Sequence, residues 1–191
     1  MNLFAALLIT LSALWVAFEI GLIARDRIQG RGKGTRDRGT IFINFVAIAA
    51  GMTIAGIING KSAFFFSHER TIVVFWIGAA VMLLGLGLRI WAIATLGKSF
   101  RTTVETHKHQ KVVSTGPYKL VRHPSYTGLL LTGCGYGIAL QNWLSLVSAV
   151  ALPLAALLYR IHIEEKAMVE SLGTEYETYQ GTTKKLIPWI W

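Results

Sequence analysis

The sequence predicts an all-α integral membrane protein with about five transmembrane helices. Three observations carry that prediction. Of 191 residues, 53% are hydrophobic and 15% charged, against roughly 25% charged in an ordinary soluble domain. The apolar residues fall into long runs of bilayer-spanning length. The charges are lopsided, with 19 Lys+Arg against 10 Asp+Glu and a formal net charge of +9, and they gather between the runs. This composition excludes a disordered chain and a fibrous repeat. A single cysteine, Cys134, excludes a disulfide scaffold and a cysteine-based metal cluster.

The first run spans residues 3–24 and carries one charge, Glu19. It has no basic region before it and is too long for a typical signal-peptide core, so it reads as a retained helix. The second run spans 41–58. The third, 71–96, is broken only by Arg89. Each is near or above the roughly 18 to 20 residues a helix needs to cross a bilayer. Two shorter runs follow, 128–140 and 143–159, separated by Gln141 and Asn142. A polar pair between apolar runs predicts a tight turn between antiparallel helices. Helices are the obvious spanning element, because every backbone polar group must be satisfied within the bilayer.

The charges then fall into place. Segments 25–40, 97–127 and the tail after Tyr159 hold 16 of the 19 basic residues. In a five-pass chain these segments share one side. The positive-inside rule makes that side cytoplasmic and places the N-terminus outside. A nucleic-acid partner is not expected, since the basic residues flank membrane runs rather than forming a presenting surface with stacking aromatics.

Several polar groups are candidates for chemistry. Gly116-Pro117 signals a turn, and Pro124 suits the first turn of a helix. Arg122 and His123 then sit at a helix mouth, where free N–H groups and the dipole attract anions. The alternative is a charged interface anchor, with Tyr118 and Tyr126 in an aromatic belt. Arg160 and Glu164 are i,i+4 neighbours, either a surface ion pair or a cationic and anionic pair facing a cleft. The helix is expected to continue through Met168, Leu172, Tyr176 and Tyr179 as an amphipathic stripe, packed on the basic loop or lying on the membrane. Arg89 is expected to snorkel to the cytoplasmic face, with Glu19 near it; Arg25 or Arg89 would be the partner of Glu19. The Gly133-Cys-Gly-Tyr-Gly137 run mimics a nucleotide-binding turn. It lies inside a membrane run, so a small-xxx-small helix contact through Gly133 and Gly137 is expected instead. His107 and His109 lie in a polar loop without an acidic or cysteine cluster, so no metal site is expected.

The motifs Gly116-Pro-Tyr118, Arg122-His-Pro-Ser-Tyr-Thr-Gly128 and Arg160-Ile-His-Ile-Glu164-Glu165 resemble those of the isoprenylcysteine carboxyl methyltransferase family. Gly173-Thr-Glu-Tyr176, Tyr179 and Leu186-Ile-Pro188 continue the pattern, and the resemblance is dense over residues 98–189. It implies a membrane-embedded methyltransferase that uses S-adenosylmethionine in a cytoplasmic pocket formed by the C-terminal half. Residues 1–97 would form three helices and a basic loop, and residues 98–191 the catalytic region. Carried over, Gln110, Lys111, Val112 and Val113 would line the adenosine end of the cofactor. Tyr118, His123, Pro124, Ser125 and Tyr126 would complete its pocket, with Glu164 and the adjoining Glu165 at the amino-acid end. Glu105 would be a further polar contact of this kind by the same resemblance. Arg160 would face a substrate carboxylate. The partner implied is a lipophilic or lipidated acceptor drawn from the membrane. The same pattern partly covers phospholipid N-methyltransferases and, more distantly, the C-terminal part of sterol reductases, which use NADPH; a catalytically silent membrane binding module is the remaining alternative. Counterparts of the extra N-terminal helices of eukaryotic members are not expected in these 191 residues, and Trp189-Ile-Trp191 does not match a C-a-a-X motif.

Overall fold

A computed structural model describes residues 3–29, 39–59, 65–66, 71–100, 102 and 112–191. The expected positions Glu105, His107, His109, Gln110 and Lys111 lie outside the described residues. Among the described residues there are six α-helices: α1 (Leu3–Ile28), α2 (Thr40–Ile58), α3 (Ile72–Leu96), α4 (Pro124–Leu140), α5 (Trp143–Leu172) and α6 (Thr174–Thr182). Short 3-10 turns lie at Gly97–Ser99 and Gly116–Lys119. The β pairing among the described residues is confined to two isolated bridges, Phe65 with Asn142 and Val121 with Lys184.

Local chemistry sets the helix ends. Thr71 caps α3 through its side chain, which accepts from the Val74 N–H. Asn142 caps α5 by accepting from Leu144 and Ser145 N–H. The expected tight turn is there: Gln141 takes a left-handed φ of 57°. Its amide also grips the Thr71 backbone from both sides, at 2.8 and 2.9 Å. That ties the α4–α5 turn to the start of α3.

Four helices among the described residues (α1, α2, α3 and α5) are long and apolar enough to cross a membrane. At 17 residues, α4 stands at the lower edge of spanning length. Outward faces carry large apolar side chains such as Leu14, Phe42, Ile57, Val73, Leu84 and Trp143, all more than half exposed. In water such a belt would drive aggregation; in a bilayer it is the lipid-facing surface of an integral membrane protein.

Lipid offers no hydrophobic driving force between helices, so close packing must hold them. Here glycine supplies it. A Cβ on Gly78 would lie 2.3 Å from Ala139 N, one on Gly85 2.5 Å from Thr132 N, and one on Gly135 2.3 Å from Met82 N. The backbones of α3 and α4 therefore nearly touch. The other face of α4 meets α5 as expected, through Gly133 against the Ala149 carbonyl and Gly137 against Leu146. On α2, Gly51 approaches Ser148 and Pro153 of α5, and the Ser145 hydroxyl donates to the Ala55 carbonyl at 2.7 Å. Along α1, Leu8, Trp15 and Leu22 pack onto successive levels of this bundle.

One expectation is corrected. The helix entered at Trp143 does not run on to Tyr179. Gly173, with φ 57°, ends α5 and turns the chain into α6. Tyr176 and Tyr179 are buried, and the Tyr179 hydroxyl donates to the Tyr118 carbonyl at 2.8 Å. The stripe thus folds back onto the Gly116–Lys119 turn, the first of the two expected placements.

Candidate functional site

The polar residues predicted from the sequence converge where α4 begins and α5 passes it. Arg160 is buried, 4% exposed, and lies at the centre. Its Nε donates to Glu164 Oε1 at 2.9 Å and to the Tyr126 hydroxyl at 2.6 Å. Tyr126 in turn donates to Glu164 Oε1 at 2.5 Å. The remaining guanidinium nitrogens reach the Thr40 hydroxyl at 3.1 Å and the Thr102 carbonyl at 2.6 Å. This is not the surface ion pair of the alternative reading; burial removes the solvent screening that makes such pairs weak.

A second cluster lies beside it. Glu165 Oε1 accepts from Arg122 Nε at 2.8 Å and lies 3.1 Å from His123 Nε2. Arg122 Nη1 also donates to the Gln180 carbonyl at 3.1 Å and to the Thr183 carbonyl. The Arg122 and His123 backbone N–H groups donate to the carbonyls of Lys184 and Lys185. The two readings of Arg122, anion receptor or interface anchor, both give way to a third. It is a buried clamp that fastens α4, α5 and the C-terminal segment together. Tyr118 is likewise buried rather than set in an aromatic belt, and burial pushes its phenol pKa well above the ordinary value.

His123 bridges the two clusters. Its other ring nitrogen lies 3.7 Å from Glu164 Oε2, and its ring stacks parallel to Tyr126 with centroids 5.6 Å apart. Pro124 opens α4 and is fully buried. Val112 donates its N–H to Glu175 Oε1 at 3.1 Å, which places the segment leading to Tyr118 against α6. Val113 is half-buried in the same segment.

Arg89 does not snorkel. It is 7% exposed and forms a bidentate pair with Glu19, at 2.5 and 2.6 Å. Its third nitrogen donates to the Ser125 hydroxyl at 2.8 Å and the Ser125 carbonyl at 3.2 Å. Of the two candidate partners for Glu19, Arg89 is the one; Arg25 pairs with Asp26. Arg89 thereby ties the first turn of α4 to α3 and, through Glu19, to α1.

These residues border an apolar groove. Its walls come from α1, α2, α4 and α5: Trp15, Val16, Ile23, Ile41, Phe45, Ile48, Leu129 and Leu157. Glu19, Asn44, Arg89, Ser125, Tyr126, Thr102 and Arg160 are its polar lining, with Phe100 beside them. Reasoning from sequence missed Thr40, Thr102, Trp15 and Asn44 as parts of this site. Asn44 carried a signal, being an amide inside an otherwise apolar run. Thr40 and Thr102 carried none, since threonine is common at helix starts and in loops. Among the described residues, no group of three or more His, Cys, Asp and Glu side chains could hold a metal ion.

The fold and this site define a helical membrane protein whose buried ion network lines an apolar groove. The family model for the isoprenylcysteine carboxyl methyltransferase (ICMT) family matches residues 76–170, the stretch from α3 through α5 that carries Arg89, His123, Arg160 and Glu164. The chain belongs to the isoprenylcysteine carboxyl methyltransferase family. It is 31% identical over 119 residues to a probable protein-S-isoprenylcysteine O-methyltransferase of Oryza sativa, covering 61% of this chain and 62% of that protein. It is 35% identical over 116 residues to the protein-S-isoprenylcysteine O-methyltransferase of Saccharomyces cerevisiae, covering 60% of this chain and 48% of the relative. The solved structure of the eukaryotic intramembrane Ras methyltransferase ICMT superposes with a TM-score of 0.61 at 31% identity, over 76% of this chain and 52% of that one. The chain thus spans about half to three-fifths of the length of these relatives.

Proposed function

We propose that this protein is a membrane-embedded methyltransferase that transfers a methyl group from S-adenosylmethionine to the carboxylate of a lipophilic, isoprenylcysteine-like acceptor. The observation that carries this reading is the placement of Arg160, a buried cation lining an apolar groove. A hydrocarbon tail fits the groove and an acid group fits the cation. The names of the relatives support the same reaction.

S-adenosylmethionine, when bound, supplies a methyl group already made electrophilic by its sulfonium. The donor set beside Arg160 suits its zwitterionic amino-acid end. Glu164 Oε2 lies 3.7 Å from His123 Nδ1, and we assign to it the cofactor's ammonium. We assign Val112, Val113, Tyr118, His123, Pro124, Ser125, Tyr126, Glu164 and Glu165 to the cofactor side, with Gln110 and Lys111 completing it. Within that set Glu165 acts through Arg122 and His123, holding the wall rather than the ligand. A carboxylate acceptor is already a nucleophile, so no general base or metal is needed. The chain's own contribution is to hold the acid in line with the methyl and to keep water out. Residues 98–191 form the catalytic region in this reading, and residues 1–97 form three helices around it. The basic segments orient the site to the cytoplasmic face of a prokaryotic cytoplasmic membrane, with the N-terminus outside.

Purified protein is expected to transfer label from S-adenosylmethionine to a small prenylcysteine analogue and to lose that transfer in Arg160→Ala. Cofactor binding without transfer to any carboxylate would refute the acceptor assignment. Transfer to phosphatidylethanolamine instead would identify an N-methyltransferase. Unchanged transfer in Arg160→Ala would refute the role given to that residue.

A further inference from the structure

The last turn of α1 carries an acid where the helix dipole disfavours one. Helix C-termini attract cations and repel anions, yet Asp26 stands there between Arg25 and Arg27 and is 1% exposed. Arg25 occupies only one of its oxygens: Nε and Nη2 donate to Asp26 Oδ1 at 3.3 and 3.0 Å. The other oxygen has a different use. Asp26 Oδ2 accepts from the Thr102 backbone N–H at 2.7 Å, across 76 residues of sequence. A buried acid is costly unless it is hydrogen-bonded, and an ionised acceptor makes the shorter, stronger bonds.

Thr102 is also a residue that holds Arg160. Its carbonyl accepts from Arg160 Nη2 at 2.6 Å. The Thr102 N–H and carbonyl belong to different planar peptide units. Asp26 therefore acts on Arg160 by fixing where Thr102 stands, not by polarising its carbonyl. The neighbouring Phe100 is held by the same turn of α1. The Arg25 guanidinium lies over the Phe100 ring, 5.4 Å from its centroid, and Phe100 packs with Leu22 and Ile93. The end of α1 thus grips Phe100 by its side chain and Thr102 by its backbone.

The Arg160 guanidinium has two edges with different duties. Nε faces Glu164 and the Tyr126 hydroxyl, which stand on the cofactor side of the proposed site. Nη1 and Nη2 are held by Thr40 and Thr102, and Thr102 lines the groove. We infer that Asp26 is a positioning residue for methyl transfer. Through Thr102 it sets the Nη edge of Arg160, and with that edge the in-line placement of the acceptor carboxylate. Asp26 itself is not among the residues lining the groove. A misplacement of about 1 Å at a group that orients a reactant can cost about a hundredfold in rate. This inference rests on the carboxylate-acceptor reading above.

The experiment compares Asp26→Ala and Asp26→Asn with wild type in detergent micelles. Asn keeps an amide oxygen that can accept from the Thr102 N–H, whereas Ala keeps no acceptor. Three quantities are measured: the Kd of S-adenosylmethionine by calorimetry, kcat/KM for the prenylcysteine analogue N-acetyl-S-farnesylcysteine, and the rate at which phenylglyoxal modifies Arg160, followed by peptide mass spectrometry. Asp26→Ala is expected to lose about tenfold to a hundredfold in kcat/KM while its cofactor Kd stays within about twofold of wild type. Its Arg160 should react faster. Asp26→Asn should recover most of each change. Unchanged kcat/KM, or unchanged Arg160 reactivity, in Asp26→Ala would overturn the inference. So would a cofactor affinity that falls together with kcat/KM, which marks a general structural role. Asp26→Asn behaving like Asp26→Ala would overturn it too, since charge rather than the Thr102 bond would then matter. Should wild type transfer to no carboxylate while Arg160 reacts faster in Asp26→Ala but not in Asp26→Asn, the positioning link is supported and the proposed reaction refuted.

Discussion

Replacing Glu19 by Leu tests the strongest energetic inference from the fold. Glu19 and Arg89 form a bidentate pair whose side chains are 16% and 8% exposed. Removing the carboxylate leaves a guanidinium buried with only Ser125 for company. Breaking one partner of a buried pair costs about 3–5 kcal/mol, because the desolvated charge remains without its counterion. That is roughly two to three and a half orders of magnitude in the folded-to-unfolded ratio at about 1.4 kcal/mol per decade. Glu19→Leu should therefore be strongly destabilised. The double variant Glu19→Leu/Arg89→Leu should recover most of the loss, since an apolar pair of similar volume is often as good as an ion pair. It should stop about 1–2 kcal/mol short of wild type, for the Ser125 hydrogen bonds that Arg89 no longer makes. Equilibrium unfolding in mixed micelles, followed by tryptophan fluorescence, reads all four corners of the cycle. A single variant as stable as wild type, or a double variant no better than the single, would refute the coupling.

Gly135→Ala and Gly87→Ala are predicted to move stability in opposite directions. The added Cβ at Gly135 meets backbone at 2.3 Å, whereas at Gly87 it meets nothing within 4 Å. Overpacking should cost about 1–3 kcal/mol at the first, and Ala at the second should add about 0.5–1 kcal/mol, both read by the same unfolding assay. A pH effect is expected at α6. Burial pushes the Tyr179 phenol up to about 12 and raises Tyr176 and Tyr118 as well. A raised acid favours the folded state fully below the unfolded value near 10, and that contribution is lost as pH rises through the folded value. Protease cleavage between α5 and α6 should therefore increase between about pH 10 and 12. The phenolate difference spectrum between wild type and Tyr179→Phe should titrate in the same window; titration of Tyr179 near 10 would refute its burial.

The elements that sequence revealed are those with a local cause. The apolar runs, Pro124 at the start of α4, and the Gln141–Asn142 turn each need only neighbouring residues for their explanation, and each stands where expected. Arg160 and Glu164 were legible as a pair because i,i+4 spacing forces them onto one helix face. What could not be read was their burial, since that depends on Thr40 and Thr102, some 120 and 58 residues away in the chain. Arg89 was misread for the same reason. Snorkelling is the right default for a lone arginine near a helix end, and it fails here because α1 brings Glu19 within reach. The break at Gly173 escaped notice because the apolar spacing on either side of it is helical, and a glycine within such a pattern is usually tolerated.

The glycine packing and the polar site are one construction. Gly128 opens the membrane-embedded part of α4, and a Cβ there would lie 2.8 Å from Arg89 N and 3.0 Å from Arg89 Cβ. That near-contact lets the Arg89 guanidinium reach back to Ser125, one turn earlier on α4, while still pairing with Glu19 on α1. On the opposite face, Gly133 brings α5 against α4, which sets Tyr126 where it meets both Arg160 and Glu164. A larger residue at either glycine would push a neighbouring helix outward by a fraction of a side-chain diameter. In a soluble core such a shift is partly absorbed by hydrophobic repacking. Here the bundle has no hydrophobic gain to recover it, and a functional constellation tolerates displacements of only about 0.5 Å. The small residues of α4 therefore act on the geometry of Ser125 and Tyr126 as directly as the charged residues that touch them.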